Sequence, residues 1–174
     1  RINGTESTLV PLDLTDGDTI DQLGAALHER FGRIDIVIGN AGILGELTPI
    51  NHLDPTTWDN IIALNVTANY RLIRSLDPLL KASDSGRAVF VTSRAAIHLN
   101  PFWGGYAASK AALEVLVKTY AKEVQHTNIR VNLVDPGPQQ TAIRAKAFPG
   151  ENPNKLRKPD EMTGVFVDLA ESNF

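Results

Sequence analysis

The sequence predicts an α/β fold: a three-layer, doubly wound domain on a mainly parallel sheet. Short β-branched apolar runs alternate with long helical patterns, uninterrupted by any internal repeat or low-complexity tract. The run Ile34-Asp-Ile-Val-Ile38 is almost wholly apolar, as suits a strand covered on both faces. The runs also end in loop-forming residues, Gly39-Asn-Ala-Gly42 and Asp135-Pro-Gly-Pro138, at the place where this architecture carries function. Strand and helix in alternation are the pattern of βαβ units.

The first run, residues 8–12, reads as a strand. After it, Asp13 to Asp18 offers acids and a Thr suited to capping a helix that ends near Phe31, where Gly32 stops it. Residues 34–38 form the second strand. Residues 55–80 read as one helix, with Pro55 in its first turn after Asp54, apolar positions at Leu64, Leu72, Leu76 and Leu79, and Pro78 ending or kinking it. Residues 88–92 are the third strand. A helix over 106–125 follows, whose small face of Ala107, Ala108, Ala111 and Ala112 permits close packing. Residues 129–134 are the fourth strand, the stretch to Pro159 is a loop or flap, and a short helix over 161–170 closes the chain.

With 174 residues, 43% of them hydrophobic, the chain can bury a core without staples, and one domain over residues 1–174 is expected. A net charge of -3 with both signs interspersed provides no basic stripe, which argues against nucleic-acid binding. Without Cys there is no disulfide or thiolate site, and His28, His52, His98 and His126 have no ligand spacing, so no metal is expected. No apolar run approaches the roughly 18 residues of a membrane span, and the opening residues are not a secretory signal. The expected compartment is the cytoplasm.

The chemistry-bearing constellation is Ser93, Tyr106 and Lys110. Four residues apart on a helix, Tyr106 and Lys110 share a face, so the ammonium can sit below the ring. A phenol titrates near 10, and a nearby cation favours the phenolate by roughly 1 to 3 units, which would make Tyr106 a usable acid/base. Ser93, at a strand's end, can address the same oxygen as Tyr106, and two donors on one oxygen polarise a carbonyl for hydride attack. Alone, Tyr-x-x-x-Lys can equally be an ordinary exposed helix pair.

It recurs here among other motifs in a fixed order: Asp13, Gly32-Arg-Ile-Asp35 leading to Asn40-Ala-Gly42, Asn65 in the long helix, Ser93, Tyr106-Ala-Ala-Ser-Lys110, and Asn132-Leu-Val-Asp-Pro-Gly137 with Thr141. Over practically its whole length the sequence resembles the short-chain dehydrogenase/reductase family. The resemblance implies hydride transfer between NAD or NADP and a small carbonyl/alcohol substrate, with Asn65, Ser93, Tyr106 and Lys110 as the catalytic set. It implies that Asp13 and Leu14 lie by the adenine, that Asn40, Ala41 and Gly42 line the cofactor, and that Tyr106 and Lys110 also touch it, Lys110 through the nicotinamide ribose. Pro136, Gly137 and Thr141 would meet the nicotinamide end, and Asn65 would bend its helix and hold a water that relays protons to Lys110. By their residue types alone, Asn40-Ala-Gly42 is a tight strand-to-helix turn. A homo-oligomer, dimer or tetramer, is implied, pairing the helices at 55–80 and 106–125 across two-fold axes.

Residues 144–151 are similar to those of a bacterial oxoacyl-reductase-like subgroup. The family's opening strand and glycine-rich phosphate turn have no counterpart here, so the sheet is expected to lack its first two strands and its last, the sequence being either a piece of a longer protein or one missing its disordered parts. That leaves a competing expectation, a non-catalytic remnant acting as an assembly or binding module. Gly39 stands where much of the family has Asn, putting one backbone-supporting hydrogen bond in doubt. Arg94 either selects an acidic substrate or is a solvated surface residue. Ile97, Phe102, Trp103 and Phe148 are candidates for an apolar pocket wall.

Overall fold

In the computed structural model, which describes residues 7–171, three parallel strands form one sheet: β1 (Ile36–Gly39), β2 (Arg87–Val91) and β3 (Arg130–Val134), in the order β1-β2-β3. Ile36 is in register with Arg87, and Arg87 with Arg130. The central strand is covered on both faces: Ala88, Val89 and Phe90 are fully buried. On β1, at the edge, Ile36 and Ile38 are 44% and 48% exposed, so their apolar character is not spent within this sheet.

The expected strand at 8–12 is not one. The segment pairs with no strand, Leu9 is exposed, and no described element lies alongside to accept its hydrogen bonds. β-branching and apolar pattern predict a strand only where a neighbouring ladder exists.

Helix α1 (Gly17–Phe31) starts and stops as its end residues dictate. Asp16 accepts from the amides of Asp18 and Thr19, and Gly32, at φ 71°, donates to His28 O. It crosses α3 (Ala68–Lys81) closely at Gly24, where a Cβ would lie 2.1 Å from Ser75 Oγ.

The helix expected over 55–80 is interrupted. α2 (Pro55–Ile62), capped by Asp54 on Thr57 N, runs into a π-helical turn, Ala63–Thr67, before α3 resumes. Pro78 does not end it, for α3 continues to Lys81; the backbone bond that proline deletes falls in the last turn, where buried Leu76, Leu79 and Leu80 hold the helix down.

The helix α4 (Ala95–His98) is a single turn, and α5 (Gly104–Glu123) begins two residues before Tyr106. The alanine face of α5 divides: Ala107 is buried and Ala111 half-buried, Ala108 and Ala112 are exposed, and Gly105, Ser109, Leu113 and Val117 are buried. Close approach is made by Gly105 and Ser109 instead, a Cβ on Gly105 meeting Ile61 and Leu53 at 3.0 Å. The flap after β3 contains a short helix, α6 (Ala142–Ala147), and α7 (Thr163–Glu171) closes the described chain.

Candidate functional site

All three strands end at one edge of the sheet, and parallel strands deliver their following loops to the same side. There Asn40, Ala41 and Gly42 from β1, Ser93 from β2, and Pro136 and Gly137 from β3 surround a cavity of about 490 Å³, closed by Tyr106 and Lys110 of α5 and by Thr141. Nine residues singled out by sequence thus converge. Trp103 and Phe148 also line the cavity, while Ile97 and Phe102 do not and stand exposed beside it. Asp13 and Leu14 lie elsewhere, in a shallow depression with Thr15 and Leu64. Asp13 is tied into a turn there, accepting from Thr15 N and Oγ1 at 2.8 and 2.7 Å.

Asn65 does not line the cavity; it supports it from behind. Wholly buried in the π turn, its side chain accepts from Ile43 N at 2.8 Å and donates to Ile43 O and Ser109 Oγ, each at 2.9 Å. Both amide protons are therefore engaged. Ser109 in turn donates to Tyr106 O at 2.8 Å. The loop after β1 and the first turns of α5 are locked together through one buried chain of hydrogen bonds.

Lys110 is buried, and its ammonium donates to Val91 O at 2.8 Å, leaving two further N–H groups. Burial lowers its pKa to about 8. Tyr106 hydrogen-bonds Ser93, which lowers its pKa, but burial outweighs this and the Asp135 carboxylate adds to it, so the phenol is raised above its usual value. The expected lowering of Tyr106 by Lys110 is absent: the ammonium sits 5.8 Å from the ring centroid and is directed to a backbone carbonyl. Desolvation of the phenolate is the largest influence on Tyr106.

Gly39 has a spatial reason. A Cβ there would lie 2.4 Å from Phe90 Cδ1 and 2.6 Å from Asn69 Oδ1. Asn69 is buried and donates to Asn65 O at 2.9 Å, so an amide from the helix occupies the space beside the strand. Arg94 bonds Asp135 at 3.1 Å and is otherwise solvated. Arg144, a cavity residue, holds Glu151 through two bonds of 2.6 and 2.7 Å and stacks 3.8 Å from the Phe148 ring centroid. Lys146 donates to Gly45 O at 2.6 Å, which ties α6 to the loop after β1. Sequence reading gave no role to Ser109, Asn69, Asp135 or Gln139; of these Ser109, inside the Tyr106–Lys110 turn, and Asp135, inside the motif over 132–137, carried a positional signal.

The short chain dehydrogenase family model matches residues 1–152. The chain belongs to the short-chain dehydrogenase family. It is 38% identical over 152 residues to the uncharacterized oxidoreductase YciK of Escherichia coli, covering 87% of this chain and 60% of that protein. With the 3-oxoacyl-[acyl-carrier-protein] reductase FabG of Thermotoga maritima it shares 32% identity over 172 residues, 91% of this chain and 68% of that protein. A crystal structure of a short chain dehydrogenase from Shigella flexneri complexed with NADP superposes with a TM-score of 0.92 at 35% identity, over 98% of this chain and 72% of that one. The three strands seen here belong to that family's parallel, Rossmann-like sheet. Among the described residues, no group of three His, Asp or Glu is placed to hold a metal, and no helix is long and apolar enough to cross a membrane.

Proposed function

We propose that this chain forms the substrate-side part of an NAD- or NADP-dependent oxidoreductase that interconverts a carbonyl and an alcohol. The observation that carries the reading is the juxtaposition of a buried Tyr106, hydrogen-bonded to Ser93, with a buried Lys110 in one cavity at the carboxyl ends of parallel strands.

The residues present fit a nicotinamide coenzyme. A Cβ on Gly42 would press on Asn65 Oδ1 at 3.2 Å and touch Lys110 Nζ at 3.5 Å, so a glycine leaves this wall its room. Gly137, at φ 67°, has open space where a side chain would be. When bound, the nicotinamide supplies or accepts the hydride.

The chain's own residues do the rest. Tyr106, protonated at neutral pH, donates its phenolic proton to the substrate oxygen in reduction, and Ser93 orients that oxygen by a second hydrogen bond. Lys110, anchored on Val91 O, offers its remaining N–H groups to the coenzyme sugar. Asn40, Ala41 and Gly42 line the coenzyme, held by Asn65 through Ile43. Asn65 acts by fixing this loop, since its own amide protons are occupied. Pro136, Gly137 and Thr141 meet the nicotinamide end, and Asp13 and Leu14 the adenine.

The substrate is a carbonyl compound with an apolar flank. Trp103 packs edge-on to Tyr106 at 6.0 Å and against Phe148 at 5.7 Å, with Ile143 and Ala147 beside them. Both arginines of the cavity are already paired with carboxylates, which favours an uncharged compound over an acid. The 3-oxoacyl group named for the Thermotoga relative is a carbonyl with an apolar chain, as this flank would take. Exposed Tyr70 on α3 and Val115 on α5 support a dimer or tetramer paired through these helices, and the cytoplasm is the proposed compartment.

Titration of the purified protein with NADH and NADPH, followed by nicotinamide fluorescence, tests the reading. Saturable binding of one coenzyme is expected; binding of neither would overturn it.

A further inference from the structure

Lys81, Lys118, Lys122, Lys146, Lys155 and Lys158 are exposed. Lys110, the remaining lysine of the chain, is 3% exposed and lines the cavity. Among the described residues its Nζ has one hydrogen-bond partner, Val91 O, and no carboxylate pairs with it. Lys81 and Lys118, by contrast, are held by Asp77 and Glu114. A lysine buried without a counter-ion sheds its proton readily, and the free amine is a nucleophile toward carbonyl carbon.

The surroundings suit that reaction. A neutral amine that donates one N–H to Val91 O keeps its lone pair and its other N–H for the cavity. There is room in front of it, since even a Cβ added at Gly42 would stand 3.5 Å from Nζ. The same cavity holds the Tyr106 phenol and the Ser93 hydroxyl, two groups that polarise a carbonyl oxygen. The other titratable groups around it are Arg94, paired with Asp135, Arg144, paired with Glu151, and the exposed His98.

We propose that Lys110 is a covalent site for aldehydes: in the coenzyme-free protein its Nζ condenses with an aliphatic aldehyde held by Tyr106 and Ser93, and the imine blocks the site until it hydrolyses. The proposal rests on the reading of the cavity as a carbonyl site. Aldehydes are the class because attack from a side chain fixed in the cavity wall is least hindered at a carbon that bears hydrogen. Their apolar chains lie against Trp103 and Phe148.

The step needs no oxidant or reductant. The Nζ lone pair forms a C–N bond as the C–O π bond opens toward oxygen, which takes the Tyr106 proton. The nitrogen then returns a proton to the phenolate, giving a carbinolamine. Loss of its hydroxyl, together with the second nitrogen proton, releases water and leaves the C=N bond. In the reading above Lys110 offers its N–H groups to the coenzyme sugar, so coenzyme and aldehyde compete for one side chain.

The test incubates coenzyme-free protein with hexanal and cyanoborohydride at about pH 7.5, which fixes imines as hexyl amines, and maps each modified lysine by peptide mass. Burial lowers Lys110 to about 8, so roughly a quarter of it is free amine there, against about one part in a thousand for a solvated lysine. Lower basicity offsets part of this gain, and Lys110 should be labelled about tenfold or more faster than any exposed lysine. Oxidised coenzyme, which cannot reduce the aldehyde, should slow this labelling about tenfold at ten times its dissociation constant and leave the other lysines unchanged. Labelling of Lys110 no faster than that of the exposed lysines would overturn the proposal, as would fast labelling that bound coenzyme does not slow. Fast labelling in a protein that binds neither NAD nor NADP would uphold the covalent site and bring down the coenzyme reading instead.

Discussion

The Asn65 amide and the Ser109 hydroxyl, 44 positions apart in sequence and both wholly buried, share a hydrogen bond of 2.9 Å. It joins the π turn to α5, and through Ile43 and Tyr106 it connects the loop after β1 to the first turns of α5. A polar link of this kind pins two elements in one register, because every alternative packing strands a buried amide.

Replacing Ser109 by Ala leaves one Asn65 proton without an acceptor in a site closed to water. Chemical denaturation of the variant should show a loss of about 1–3 kcal/mol. Asn65→Ala, which strands both polar groups of Ile43, should cost more, and the double variant should cost less than the sum of the two, since the partners are lost together. Additive losses would show that the link is not a unit.

Gly39 is fixed by Phe90 and Asn69. Introducing the smallest side chain, Gly39→Ala, drives a methyl into a buried ring and a buried amide. A loss of about 1–3 kcal/mol in urea unfolding is expected from overpacking, and Gly39→Asn should lose more. A neutral Gly39→Asn would show that the strand can move to make room.

Burial of Lys110 makes stability depend on pH in a defined window. Its native pKa is lowered to about 8 from an ordinary 10.5. Below about 8 both states hold the proton and the burial penalty is present in full. Between about 8 and 10.5 the unfolded lysine keeps a proton that the native one has released, so this contribution to stability rises with pH. Tyr106, raised by burial, acts in the opposite sense only toward and above pH 10, so the comparison stops short of that. From pH 7 to 9.5 the parent should gain about 2 kcal/mol over Lys110→Met in unfolding free energy. A constant difference between the two proteins would show that Lys110 titrates as a solvated lysine.

The fold class and most element positions could be read from periodicity and end residues: Asp16 and Gly32 bound α1, Asp54 and Pro55 open α2, and the apolar runs at 34–38, 88–92 and 129–134 each match a strand to within two residues at either end. The run at 8–12 could not, because a strand is a property of its neighbours as well as of itself. The π turn at Ala63–Thr67 was also hidden, since one inserted residue barely disturbs a helical apolar pattern over so short a span. In the site, Ser93, Tyr106 and Lys110 could be recognised only from their spacing together with the ordered motifs around them. Gln139 of the cavity wall could not, because what distinguishes it is a buried oxygen unpartnered among the described residues, and that exists only once the chain has folded around it. The electrostatic balance on Tyr106 was likewise out of reach: spacing puts Lys110 near the ring, but which of attraction and desolvation wins depends on burial.

The central claim is that Tyr106 is the proton donor of a coenzyme-dependent carbonyl reduction. The most direct measurement is consumption of the bound reduced coenzyme with a panel of uncharged apolar ketones, in the parent and in Tyr106→Phe, alongside coenzyme affinity for each. The parent should turn over at least one ketone, and Tyr106→Phe should be slower by about 10²–10⁴-fold while binding coenzyme equally well. Turnover by Tyr106→Phe at the parental rate, or a coenzyme-bound parent that reduces none of the ketones, would contradict it.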